Sequence, residues 1–230
     1  QADPGHCHLA LVAHGQTGRR RYGERLSLRF AAHDVGALRE WPLAQPIAAT
    51  ALAHADYRSV LATVLREFAV DAIVVSSLIG HSLDALRSGL PTVVVCHDRY
   101  PAWPLLHDDF ERADRRWDDA DLQQALDCAV DTPFAEREAR AWRALREAWL
   151  DALQAAGASL VVPGAALRES LLRIEPRLAA LPWRTIAHGL HPFAAPLQAW
   201  DPPARDRPRV LVLGRINGAK GAQLLAQILP

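Results

Sequence analysis

Methionine is absent from the 230 residues, cysteine occurs three times, and the charges cancel, with 26 basic against 26 acidic side chains. Each shortage excludes something. A chain with no net charge has no whole-molecule field to draw it to nucleic acid, so nucleic acid is not an expected partner and any attraction for an anion must be local. Cys7, Cys96 and Cys128 are odd in number, widely spaced and outside any CxxC arrangement, which argues against both a disulfide framework and a cysteine zinc site. Such cysteine usage predicts a cytoplasmic protein. No apolar run approaches the ~20 residues of a membrane span. The opening residues 1–5 have neither the charged nor the apolar region of a signal peptide, while peripheral contact with a membrane stays open. The absence of any methionine, an initiator included, predicts that the residues are cut from something longer or that some are unrepresented.

What the chain does have is a repeated strand-then-helix rhythm. Residues 7–13 read as a first strand, with a glycine-containing loop behind it that holds Gly15 and Gly18. Residues 25–32 alternate loosely and predict a further strand, 33–52 read as connection, and the spacing of Leu52, Val60, Leu61, Val64, Leu65 and Phe68 predicts a helix over 53–68. Two short apolar runs, 71–76 and 91–96, flank a loop with Gly80 and His81 and a short helix over 83–88. Continuous Val and Ile runs, as opposed to alternation, predict strands covered on both faces, hence a parallel sheet with helices on each side. The rhythm breaks over about 103–156. There a segment dense in Asp, Arg and Trp precedes a helix capped by Thr132 and Pro133, with Trp142, Leu145, Trp149 and Leu153 along one stripe. Strands at 159–162 and 184–188 and a helix at 165–173 follow, and the proline-rich stretch 201–208 reads as a linker.

After that linker stands Arg209-Val-Leu-Val-Leu-Gly214-Arg215-Ile-Asn-Gly218-Ala-Lys220-Gly221, which reads as a strand, a glycine turn with two cations, and the start of a helix. Free N–H groups and the positive end of a helix dipole converge in such a turn, so a phosphate is its natural ligand. The turn has neither the GxGxxG spacing of dinucleotide folds nor the Ser or Thr of a P-loop. By itself it fits a capped helix start with two solvated cations equally well.

The order of parts narrows this. An Asp71-Ala-Ile-Val-Val strand before a Gly-His loop, a Pro91-Thr-Val-Val-Val-Cys-His97-Asp98 strand end, a Ser159-Leu-Val-Val-Pro-Gly segment, an Ile186-Ala-His-Gly-Leu turn and the Gly214-Arg…Lys-Gly turn together resemble retaining glycosyltransferase family four, over most of residues 70–221. The resemblance implies two facing Rossmann-like domains in the GT-B arrangement. The acceptor-side domain would span 1–200 with a helical insertion at about 103–156, the linker 201–208, and the beginning of the donor-binding domain 209–230. It implies a sugar moved with retention from a nucleotide diphosphate sugar to a glycan or lipid-linked acceptor of bacterial surface polysaccharide synthesis, with no metal or other cofactor required. The work would be done in the cytoplasm or at the inner face of the membrane. His97 and Asp98 would be the catalytic-site pair, Gly214, Arg215 and Lys220 would hold the donor diphosphate, and Gly15, Gly18 and His81 would approach acceptor or sugar. The paired glutamates that mark the family's donor site would lie beyond Pro230, so the 230 residues alone are expected to be inactive.

Other readings stand beside this one. A strand-terminal His97-Asp98 pair can simply cap the next loop, and His81 can be a solvated helix-start residue. Cys96 and His97 cannot form a nucleophilic dyad, because adjacent strand residues point to opposite faces. His6 and His8 share a strand face but have no third ligand for a metal. The same fold also serves non-catalytic sugar- or nucleotide-binding modules and nucleotide-sugar epimerases.

Overall fold

The computed structural model describes residues 5–15, 23–31, 36–104, 118–128, 138–189 and 222–228. The chain divides into two units, Gln1–Ala187 and His188–Pro230. In the second unit the described residues are 188–189 and a short helix, Ala222–Ile228.

The first unit is mixed α/β. Its parallel sheet consists of Ile73–Val75 (β5), Thr92–Val95 (β7), Ser159–Val162 (β8) and Trp183–Thr185 (β9), in the spatial order β5-β7-β8-β9. Every pairing is parallel, and the register sets Val75 beside Val94 and Val94 beside Leu160. The order advances in one direction only, and right-handed crossovers that always advance the same way must all lie on one face. They do. The 3-10 helix Leu83–Arg87, the long helix Ala139–Ala155 (α3) and the helix Ala165–Ile174 (α4) contribute Leu83, Leu86, Leu145, Trp149, Leu153 and Leu171 to one core with Val75, Val94, Leu160 and Val162.

The expected cover on both faces is therefore not what the described residues form. Val74, Val93, Val95 and Val161 project from the other face and belong to none of the core clusters; Val74 is 66% exposed, Val93 and Val95 are half-buried and Val161 is buried. The Val runs reflect β propensity as much as burial.

The N-terminal strand, Leu9–His14 (β1), forms as the apolar run predicts but does not join the parallel sheet. It pairs antiparallel with Arg25–Phe30 (β2), which pairs with Arg39–Pro42 (β3). Only ten residues, 15–24, separate the two strands, fewer than the crossover a parallel neighbour would need. Alternation in β2 explains the rest: Leu26 and Leu28 face the helix Ala55–Glu67 (α1), packing on Tyr57, Val60, Leu61 and Val64, while Ser27 turns to the polar side. Leu52 and Phe68, expected on the helix stripe, are exposed, one ahead of the helix and the other at its C-cap. Two further strands arise in segments read as connection or loop: Thr50–Ala51 (β4) pairs parallel with His81–Ser82 (β6).

The insertion holds Asp119–Cys128 (α2) and α3, joined by a small cluster of Trp103, Leu122, Leu126, Ala139 and Trp142. The indoles of Trp103 and Trp142 meet edge to face at 5.9 Å. The predicted Trp142, Leu145, Trp149 and Leu153 stripe is buried throughout. However, α3 begins at Ala139 behind an extended Glu138, so it does not run on from Thr132, which with Pro133 lies outside the described residues. Glu175, 3% exposed, ties α3 to the end of α4 by accepting from Arg146 at 2.7 Å and Arg177 at 2.8 Å. Burial alone would raise its pKa, but these hydrogen bonds and charges hold it down at about 2.

Candidate functional site

The carboxyl ends of parallel strands are where open α/β sheets present residues to ligands. Here β7 ends into Cys96, His97 and Asp98, and β5 ends into Ser76. Cys96 lies on the covered face, buried in the core, and burial together with the Asp98 charge pushes its thiol up to about 12. His97 lies on the other face and is exposed, so the Cys-His dyad is excluded as alternation requires. The ring of His97 is held from the neighbouring strand: Ser76 Oγ stands 2.9 Å from its Nε2. Asp98 is exposed, and its Oδ1 accepts from the Tyr100 N–H at 2.8 Å, an Asx turn that closes the loop. Of the predicted catalytic-site pair, then, His97 presents its ring at the strand end and Asp98 shapes the turn behind it.

His81 stands in different surroundings. The segment between β5 and β6 folds back on itself, the His81 N–H donating to Leu78 O at 3.0 Å and Gly80 N–H to Ala49 O. Leu78 O also accepts from Thr50 Oγ1 at 2.8 Å, and Thr50 in turn accepts from the Tyr100 hydroxyl at 2.9 Å. The His81 ring is partly buried, with its Nδ1 3.1 Å from the Tyr57 hydroxyl. Burial lowers its pKa to about 4, so the ring is neutral near neutral pH. Burial also raises the Tyr57 pKa, keeping the phenol protonated and able to donate.

One turn further on, Asp84 is 5% exposed and gathers the N-terminus of α1. It accepts from the His54 N–H at 2.8 Å, from Ser82 Oγ at 2.7 Å and from both Nε and Nη2 of Arg58 at 3.2 Å. Burial acts to raise its pKa, but these hydrogen bonds and the Arg58 cation outweigh it and the carboxyl stays below its usual range. His54 itself caps α1, its Nδ1 accepting from the Tyr57 N–H at 3.2 Å. His81 thus belongs to a polar knot that fastens α1, β4 and β6 together, and it is not a solvated residue.

No family model, curated protein or solved structure matches the chain.

The remaining candidates divide by position. Gly15 is exposed just after β1, where the Glu24 N–H donates to His14 O at 2.9 Å. Ahead of β2 stands Gly23, at φ +68, where a Cβ would meet Gly80 O at 2.7 Å and Ile47 Cβ at 2.8 Å. Gly23 is thereby held close beside Gly80 and Ile47. Gly18, Gly214, Arg215 and Lys220 lie outside the described residues. The rings of His6 and His8 lie 6.3 Å apart, and among the described residues no group of three His, Cys, Asp or Glu side chains could hold a metal ion. Among them, too, no helix is long and apolar enough to cross a membrane.

Ser76, Tyr57 and Asp84 had no role in the sequence reading. Ser76 was legible in principle: it follows Val74 by two residues, so it shares the face that His97 shares with Val95. The Tyr57 and Asp84 contacts join residues far apart in sequence, and no local pattern announces them.

Proposed function

We propose that this chain is the acceptor-side part of a retaining glycosyltransferase with two facing Rossmann-like domains, taking a nucleotide diphosphate sugar as donor and a glycan or lipid-linked acceptor. In this reading residues 1–200 form the acceptor side, 201–208 link, and 209–230 open the donor-binding domain. The enzyme works in the cytoplasm, at or near the inner membrane face. The observation that carries the reading is the exposed His97, held at the carboxyl end of a parallel strand and followed in sequence by the Gly214-Arg215…Lys220-Gly221 turn.

The chemistry asked of these residues is simple. As the bond from sugar to diphosphate breaks, charge grows on the leaving phosphate, and Arg215 and Lys220 neutralise it. Cations aimed at developing charge lower the barrier more than they tighten ground-state binding. His97 contacts the transferred sugar beside its reacting carbon. In the full-length protein, Lys220→Ala is expected to lower turnover by more than about 100-fold, as loss of one such donor does elsewhere, with acceptor affinity preserved. Turnover measured against UDP-glucose, UDP-N-acetylglucosamine and GDP-mannose checks this, and unchanged turnover sinks the assignment.

One observation favours a second reading, a sugar-binding module without catalysis: the Asp98 carboxylate is engaged by the Tyr100 N–H. Binding of a nucleotide sugar by the full-length protein, without transfer or hydrolysis, would select that reading.

A further inference from the structure

We infer that Ser76 is a positioning residue for His97, biasing how the imidazole is turned and which of its nitrogens carries the proton; this rests on the reading of His97 as a sugar contact. The backbone of His97 is fixed on both sides. Before it, the Cys96 N–H donates to Val161 O at 2.8 Å and the Cys96 side chain is buried; after it, Asp98 closes the turn through Tyr100. What freedom is left to the ring is rotation about its two side-chain bonds, and the Ser76 hydroxyl at 2.9 Å from Nε2 restrains that rotation.

The hydroxyl is itself well placed for such work. It follows β5, whose register against β7 is fixed by the pairs Ile73 with Thr92, Val74 with Val93 and Val75 with Val94, so the two side chains are aimed by rigid neighbouring strands. Ser has a single side-chain rotation to restrain, which makes it a cheap anchor in entropy. Both residues are exposed, so no buried polar group depends on the contact. A bond that contributes little to folding but sets ring geometry has the signature of a positioning contact. Misplacement of a reacting group by a fraction of an ångström to an ångström is costly to rate even where binding survives.

The test uses the full-length protein, with UDP-glucose, UDP-N-acetylglucosamine and GDP-mannose as donors and ¹⁵N NMR of the His97 imidazole as a readout that needs no turnover. Ser76→Ala is expected to change the His97 tautomer ratio, lower kcat about tenfold and leave donor KM and melting temperature unchanged. Ser76→Thr, which keeps the hydroxyl, is expected to restore both the ratio and kcat. An unchanged tautomer ratio in Ser76→Ala overturns the inference, as does unchanged kcat in an active enzyme. Absence of turnover in the wild-type protein with every donor instead overturns the proposed function, and the tautomer ratio still decides the coupling of Ser76 to His97.

Discussion

The segment 76–82 meets two histidines, and it treats them in opposite ways. At its start Ser76 touches the exposed ring of His97; at its end His81 is drawn inward to Tyr57, beside the Asp84 knot. Both histidines follow from the same kind of sequence signal, a His in a loop next to a short apolar strand. One is presented to solvent and the other is used to hold the fold, and the difference lies in what packs around the loop. Tyr57 and Thr50 come from α1 and β4, and Tyr100 reaches Thr50 from the turn behind His97. Changes on the His81 side should therefore appear as stability, and changes on the His97 side as function.

The largest effect is expected at Gly23. A Cβ there would stand 2.7 Å from a backbone oxygen, at φ +68, in a place where both neighbours are main chain or a Cβ and cannot swing away. Gly23→Ala is expected to cost roughly 3 kcal/mol or more, from the combined strain of positive φ and overpacking. Chemical denaturation measures it, and a cost below about 1 kcal/mol would mean that Gly23 is not locked against Ile47 and Gly80.

Next comes acid. A His81 pKa near 4 in the fold, against 6.5 unfolded, means that the unfolded chain binds the proton more readily. The stability contributed by the neutral ring is complete above pH 6.5 and is lost as pH falls towards 4, with about 2 kcal/mol gone by pH 5. Asp84 and Glu175, both depressed carboxyls, add their own losses at lower pH, Glu175 between about 4.5 and 2. Denaturation at pH 7 and pH 5 should show the loss in the wild type and a smaller one in His81→Asn. Equal losses in the two proteins would place His81 in water.

The parallel strands, the long amphipathic helix and the end of that helix at Gly157 were legible because each rests on a local rule, whether a β-branched run, an apolar stripe or a residue at positive φ. The partner of β1 was not legible, since periodicity reports that a strand exists and says nothing of where it goes. The valine face outside the core clusters was hidden for a related reason. Val74 and Val75 look alike in sequence, yet one is 66% and the other 7% exposed, and only the one-way strand order tells which side receives the helices. His97 was legible from its place after an apolar run, and its Ser76 contact required the register of two strands. The burial of His81 was not legible, because its partner Tyr57 is a helix residue 24 positions away.

The smallest effect on stability is expected where the functional one is largest. His97→Ala removes an exposed ring with a surface hydrogen bond and should change stability by no more than about 0.5 kcal/mol. The most direct measurement is sugar transfer or release from the nucleotide-sugar panel by full-length His97→Ala beside the wild type, with melting temperatures taken on the same samples. The account predicts a variant that melts like the wild type and turns over at least about 100-fold more slowly. Wild-type turnover in a variant that is fully folded would contradict it.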